Sequence, residues 1–432
     1  LDVDMKNINA NGSDYNILMN ADLTPSKYFT IKNLNLISNL TDADELMKVS
    51  DAAMKYMPVS SSSGSVASSS SQADIPAIIK DGNIDIKHIK TGNINLYDTT
   101  GTIALLNNIF YVNNLVTSGF DGKIKGDVSM NLLTSEIKAV LKGNGLDVEK
   151  TLLDAAAMKD TLTGTMDFNA DLSLRGSTYE EQMKTLKGKV NFTMKDGSLG
   201  PFGKLENLIM AENIRENAFF QSSIGAVLNS LLSFDTAHYN SLKGVLSFNN
   251  GVVDINPITS SGNIMGTYIF GDFNLLSNVV DVKLRGRLGS QVSDSMGPLA
   301  MLNPVNLVKA TPGMSLVLGK LFFLFTEVVT DSEMAQIPSL GKDISDTNST
   351  KFQVVIRGDA AKPLTLVKSF KWLALQSDID KAQEYLNTIP ADTLPIDITT
   401  LDKEQIKTQV TEQAKKTIEE AASGIVTEET KQ

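Results

Sequence analysis

Residues 165–176 constrain the fold of this chain most tightly. Met166, Phe168, Ala170, Leu172 and Leu174 alternate without a break against Thr165, Asp167, Asn169, Asp171, Ser173 and Arg175. A period of two places the first set on one face of a strand and the second set on the other. The pattern recurs. Over 123–132, Ile124, Val128, Met130 and Leu132 oppose Lys123, Lys125, Asp127, Ser129 and Asn131; over 279–288, Val280, Val282, Leu284 and Leu288 oppose Asp281, Lys283, Arg285 and Arg287. Strands of this length reach about 33 Å and carry a continuous dry face that something must cover.

A related module fills residues 185–214. Val190, Phe192 and Met194 alternate with Lys189, Asn191, Thr193 and Lys195, followed by an Asp196-Gly197 turn signal and Pro201 at a helix entry. Phe202, Leu205, Leu208 and Ile209 then recur at helical spacing. A similar phrase returns as Leu242-Lys243-Gly244-Val245-Leu246, ending at Asn250-Gly251.

In chain order, residues 1–57 read as strands plus a helix opening at Thr41, with Asp44 completing a capping pattern. Residues 58–74 are a Ser-rich flexible linker without apolar mass to bury. Residues 75–365 form the main β region with inserted helices. Its turn signals are Asp81-Gly82-Asn83, Thr91-Gly92-Asn93, Thr99-Thr100-Gly101, Asn107-Asn108 and Asp121-Gly122, the rhythm of an antiparallel meander. Helices are expected over 147–159 and 220–234, and short apolar ones over 295–329. The apolar run 316–329, interrupted by Lys320, falls short of the ~20 residues that span a bilayer. Residues 366–432 read as a helical, partly mobile tail. The chain begins at Leu1, not Met, and reads as a fragment or processed product.

Little chemistry is visible. The chain has no cysteine, which removes thiolate catalysis and Cys-type zinc sites. The two histidines, His88 and His238, stand apart from any ligand or triad spacing. No nucleophile-elbow, HExxH, P-loop or GxGxxG pattern occurs. These features predict a protein without catalytic residues, metal or cofactor. A net charge of −11 argues against a nucleic-acid partner.

Two arrangements satisfy the dry faces. One is a stacked β-sandwich, with two sheets face to face. The other is an elongated, curved antiparallel sheet with peripheral helices, whose inner face is an apolar groove. Patterning alone leaves both open.

The order of the modules resembles the C-terminal region of the AsmA family of Gram-negative envelope proteins. The resemblance rests on the strand-helix start and Ser-rich gap before Ile75-Pro76, and on the Asp121-Gly122 strand. It includes the successive modules Leu186-Lys187-Gly188-Lys189-Val190 and Leu242-Lys243-Gly244-Val245-Leu246 with their turns. It closes on Val354-Val355-Ile356-Arg357-Gly358 followed by Pro363. It covers roughly residues 1–366. It implies an elongated groove protein of the periplasm, tethered to the inner membrane by an N-terminal anchor that this sequence does not contain. The implied role is phospholipid movement between inner and outer membranes and outer-membrane homeostasis, with phospholipid acyl chains as partner. An envelope scaffold or assembly factor that binds protein partners through sandwich surfaces is the alternative. The residues expected to face lipid are Ile124, Val128, Met130, Met166, Phe168, Leu172, Leu174, Val190, Phe192, Met194, Val280, Val282 and Leu284.

Overall fold

A computed structural model describes residues 1–10, 12–22, 28–44, 75, 77–156, 162–176, 178–199, 237–263, 265–289, 326–340, 349–360 and 367–390. The protein is mainly β: eighteen strands and four short helices among the described residues. The chain divides into two compact units. The first holds Leu1–Met194 and Val245–Val253; the second holds Lys195–Gly244 and Asp254–Gln432.

The first unit contains β1 (Asp2–Ala10), β2 (Ser13–Asp22), β3 (Phe29–Ser38), β4 (Thr41–Asp42), β5 (Ala77–Thr91), β6 (Ile94–Leu106), β7 (Ile109–Gly119), β8 (Gly122–Asn131), β9 (Glu136–Asp147) and β10 (Thr165–Arg175). Most of β11 (Lys187–Leu199) belongs to it as well. The strands pair in succession as one open ladder, β1-β2-β3-β5-β6-β7-β8-β9-β10. They do not stack as two separate sheets. The sheet is mixed, not purely antiparallel, because β3 and β4 run parallel to β5. Helix α1 (Val148–Ala156) follows β9, and α2 (Tyr179–Thr185) joins β10 to β11. Thr178 caps α2 by accepting from the Glu181 backbone N–H.

Several expected turns are not turns. β5 runs through Asp81-Gly82-Asn83 and β6 runs through Thr99-Thr100-Gly101. The ladder instead slips there, between Ile79 and Gly82 and on both sides of Thr100. These are bulges, which use the same permissive residues as turns but let pairing resume. Asp196 likewise adopts φ 50 inside β11, so the strand continues to Leu199 where a tight turn is expected. Thr41 sits in a strand opposite Ile89, and helix begins two residues later, at Ala43 and Asp44. Asp44 instead accepts from the Gly92 backbone N–H at 2.6 Å and the Thr91 hydroxyl at 2.9 Å, closing the β5–β6 turn. The remainder of the 41–57 helix, the 58–74 linker and the helices expected after Pro201 and over 220–234 lie outside the described residues.

The second unit includes β14 (Met265–Asn274), β15 (Val279–Leu288), β16 (Thr326–Val328), β17 (Thr350–Asp359) and β18 (Val367–Ala374). Their order by pairing is β14-β15-β17-β18-β16, with β16 parallel to β18. The other described strands are β12 (Ala237–Asn249) and β13 (Val252–Ser261). Val367–Ala374 is a strand where the sequence predicts the start of a helical tail, because Phe352 and Val354 pair with Trp372 and Phe370 across the ladder. Helix α4 (Gln376–Thr388) follows it, and the expected helix beyond residue 402 lies outside the described residues. Within 295–329, the described Thr326–Val328 is strand, not helix.

One face of this second sheet is covered by residues 329–340, which include α3 (Asp331–Ala335). Val329, Ile337 and Leu373 form its buried core, with Met334 against it. A polar network fastens the cover. Arg285 donates from Nε to Gln353 Oε1 at 2.9 Å and from Nη2 to Glu333 Oε1 at 2.8 Å. Gln353 Nε2 in turn donates to Glu327 Oε2 at 2.8 Å. The Arg285 guanidinium also lies 5.3 Å from the Phe270 ring centroid.

Candidate functional site: the apolar face of the first unit

In an antiparallel or parallel ladder, residues directly opposite share a face. Following register from strand to strand therefore traces rows across the sheet. One row runs Val3, Met19, Leu34, Gly82, Ile103. It continues through Val112, Val128, Ala139 and Leu172. Nine strands contribute, and no position is polar. A second row runs Ala21, Ile31, Ile79 and Leu105, then Phe110, Met130, Ile137 and Leu174. It is apolar over eight strands. At ~4.8 Å per strand the first row is about 38 Å long.

These side chains are not packed like a closed core. Ile103 and Leu105 are buried, but Val3, Met19, Leu34, Val112, Val128 and Leu172 are only half-buried, and Met130 is 36% exposed. The buried polar side chains Thr99 and Thr117 satisfy each other, with their hydroxyls 2.7 Å apart.

The structure brings seven of the predicted lipid-facing residues together on neighbouring strands. Ile124, Val128 and Met130 on β8 reach Phe168, Leu172 and Leu174 on β10 through Gly143, Ala139 and Ile137 of β9. Met166 stands one pair further along β10, opposite Leu146. Val190, Phe192 and Met194 lie on β11 of the same unit; Met194 is buried, and the other two are half-buried. Phe168 is not free. It lies across Gly143, where any Cβ would run into its ring. Val280, Val282 and Leu284 belong to the second unit, on β15. Val282 is 6% exposed there, between Gly271 and Ile356.

The sequence list misses the β1–β7 half of the face. Val3, Met19, Leu34, Ile103 and Val112 sit on strands whose alternation is broken by bulges, so a fixed period of two loses them. The surviving signal is the repeated pairing of aliphatic residues around each bulge.

Chemical groups are sparse. His88 Nε2 lies 2.9 Å from Asn95 Oδ1, and its ring stacks on Tyr97 at 4.8 Å. Among the described residues no three of His, Asp and Glu come together in a way that holds a metal ion. No described helix is long and apolar enough to cross a membrane. Among the described residues, Glu333 in the second unit is the most perturbed carboxylate. The Thr330 backbone N–H, Arg285 and the Thr330 hydroxyl hold it down at about 2. That perturbation belongs to the network that fastens residues 329–340. No family model, curated protein or solved structure matches the chain.

Proposed function

We propose that the protein is a non-enzymatic envelope protein of the AsmA type that gives phospholipid acyl chains an apolar path through the periplasm. The observation that carries this is the nine-strand apolar row, most of whose side chains stay partly open to water. Each methylene removed from water is worth about 0.8 kcal/mol, so a sixteen-carbon chain crossing an aqueous gap bare costs over about 10 kcal/mol. A track about 38 Å long exceeds the ~15 Å depth of one leaflet's hydrocarbon. It offers contact along a whole acyl chain, with room for movement along the row. Aliphatic side chains recognise no particular head group, and the path needs no bond-making residue. On this reading the chain works beside the inner membrane and supports outer-membrane homeostasis.

The test is mass spectrometry of lipid that co-purifies with the gently isolated protein. Diacyl phospholipid bound in near-stoichiometric amount is expected. A lipid-free protein whose apolar face is instead sealed by a bound protein partner refutes the lipid path and favours a scaffold.

A further inference from the structure

The polar side of the first unit carries a hollow that the acyl-chain path does not use. It spans β8 to β11, lies open to solvent, and has a volume of about 630 Å³. Gly126 (φ 155) and Gly188 (φ 128) lie at its floor, in backbone conformations that side chains rarely adopt. A Cβ at either would run into a carbonyl oxygen of the next strand, Val140 or Asp171.

Four lysines line the hollow: Lys125, Lys142, Lys187 and Lys189. None of them makes an ion pair or side-chain hydrogen bond among the described residues. Lys125 and Lys142 stand directly opposite each other in the β8–β9 ladder. Like charges in that position repel and destabilise a sheet unless an anion sits between them. Asn169 is the next residue in the same row and adds an amide donor. Asp127 and Asp171 are the acidic residues of the lining, and Asp127 Oδ1 already accepts from the Asn114 backbone N–H at 2.8 Å. Four lysines against two aspartates leave a local excess of two positive charges in a chain of net charge −11. Val140, 54% exposed, presents an apolar contact among them.

We infer that this hollow binds a phosphate monoester, its dianion between Lys125 and Lys142 and an adjoining apolar portion over Val140. Lysine ammonium groups act as point charges toward phosphate oxygens and tolerate the open geometry of a sheet face. The dianion matches the local charge excess and relieves the cross-strand repulsion. This inference is independent of the acyl-chain path, which uses the other face of the same strands.

The experiment measures thermal stability of the full chain in inorganic phosphate against chloride at matched ionic strength, for wild type and the Lys125→Gln/Lys142→Gln double variant. A phosphate-dependent rise in Tm is expected for wild type, with an apparent Kd at least tenfold weaker in the double variant. Lys142→Glu supplies an internal control. It turns a like pair into an opposite pair, so its Tm in chloride rises while its phosphate response disappears. Co-sedimentation with vesicles of phosphatidylcholine and phosphatidic acid in equal parts, against phosphatidylcholine alone, separates the two sources of such a group. Binding that is lost in the double variant assigns a lipid head group; phosphate binding without vesicle binding assigns a soluble ligand. No phosphate-specific shift in wild type, or an unchanged Kd in the double variant, overturns the inference.

Discussion

Val128 and Val282 are equivalent by alternation, yet the structure gives an aspartate at each position a different cost. Val128 is half-buried on the apolar row, between Val112 and Ala139. Aspartate there forfeits about half of the ~1.5–3 kcal/mol of full valine burial and up to ~1 kcal/mol of strand preference. Its carboxylate reaches water, so the total is about 2 kcal/mol. Val282 is 6% exposed, and its cross-strand neighbours Gly271 and Ile356 offer a carboxylate no side-chain partner. Aspartate there loses nearly all of the burial term and adds the ~3–5 kcal/mol of an uncompensated buried charge. A total of about 5–7 kcal/mol is comparable to the whole stability of a domain, ~5–15 kcal/mol. Urea unfolding followed by far-UV circular dichroism should therefore show a folded Val128→Asp protein and a second unit that is unfolded or nearly so in Val282→Asp. Mass spectrometry of the Val128→Asp protein should show less bound phospholipid than wild type. Equal destabilisation by the two substitutions would mean that the apolar face is a closed core. A folded Val128→Asp protein with an undiminished lipid load would remove this face from the lipid path.

Glu333 is depressed from 4.5 to about 2 in the folded protein, so its ionised form favours the fold. That contribution is complete above about pH 4.5 and fades as pH falls toward 2; the urea midpoint difference between wild type and Glu333→Gln should shrink across that window, and a constant difference contradicts the assignment. Arg285→Met leaves Glu333 without its counter-charge and Gln353 Oε1 without its donor. The expected loss is about 2–3 kcal/mol in equilibrium unfolding, below the ~3–5 of a fully buried pair because Glu333 is 37% exposed; a loss under ~0.5 kcal/mol would show that the network does not hold residues 329–340 down. Gly188→Ala meets both a positive φ and the Asp171 carbonyl oxygen. It should destabilise the first unit by about 2 kcal/mol or more, and a neutral result in the same measurement would show that β10 and β11 are not so closely apposed.

Local pattern already contains much of the fold. The alternation of residues 165–175 is β10, and that of 122–131 is β8, because a period of two has only one regular backbone that satisfies it. The turns at Gly92, Asn107-Asn108 and Asp121 also follow from residues that tolerate positive φ. That tolerance is where local information stops. Gly188 (φ 128) and Asp196 (φ 50) carry the same permissive chemistry, yet they sit inside β11. A residue at positive φ ends a strand or bulges it according to whether the neighbouring strand keeps hydrogen bonding beyond it, and that neighbour is distant in sequence. The parallel pairing of β3 with β5 has the same origin, as does Val367–Ala374 becoming strand beside β17.

The candidate face divides in the same way. Alternation alone puts Val128, Leu172 and Val282 each on the dry side of a strand. It takes the strand pairing to join Val128 and Leu172 in a half-open row nine strands wide and to bury Val282 in the second unit. Side-chain direction is a local property of the backbone, whereas exposure depends on which strands and segments pack alongside, and those contacts are set by hydrogen-bond register across the whole sheet.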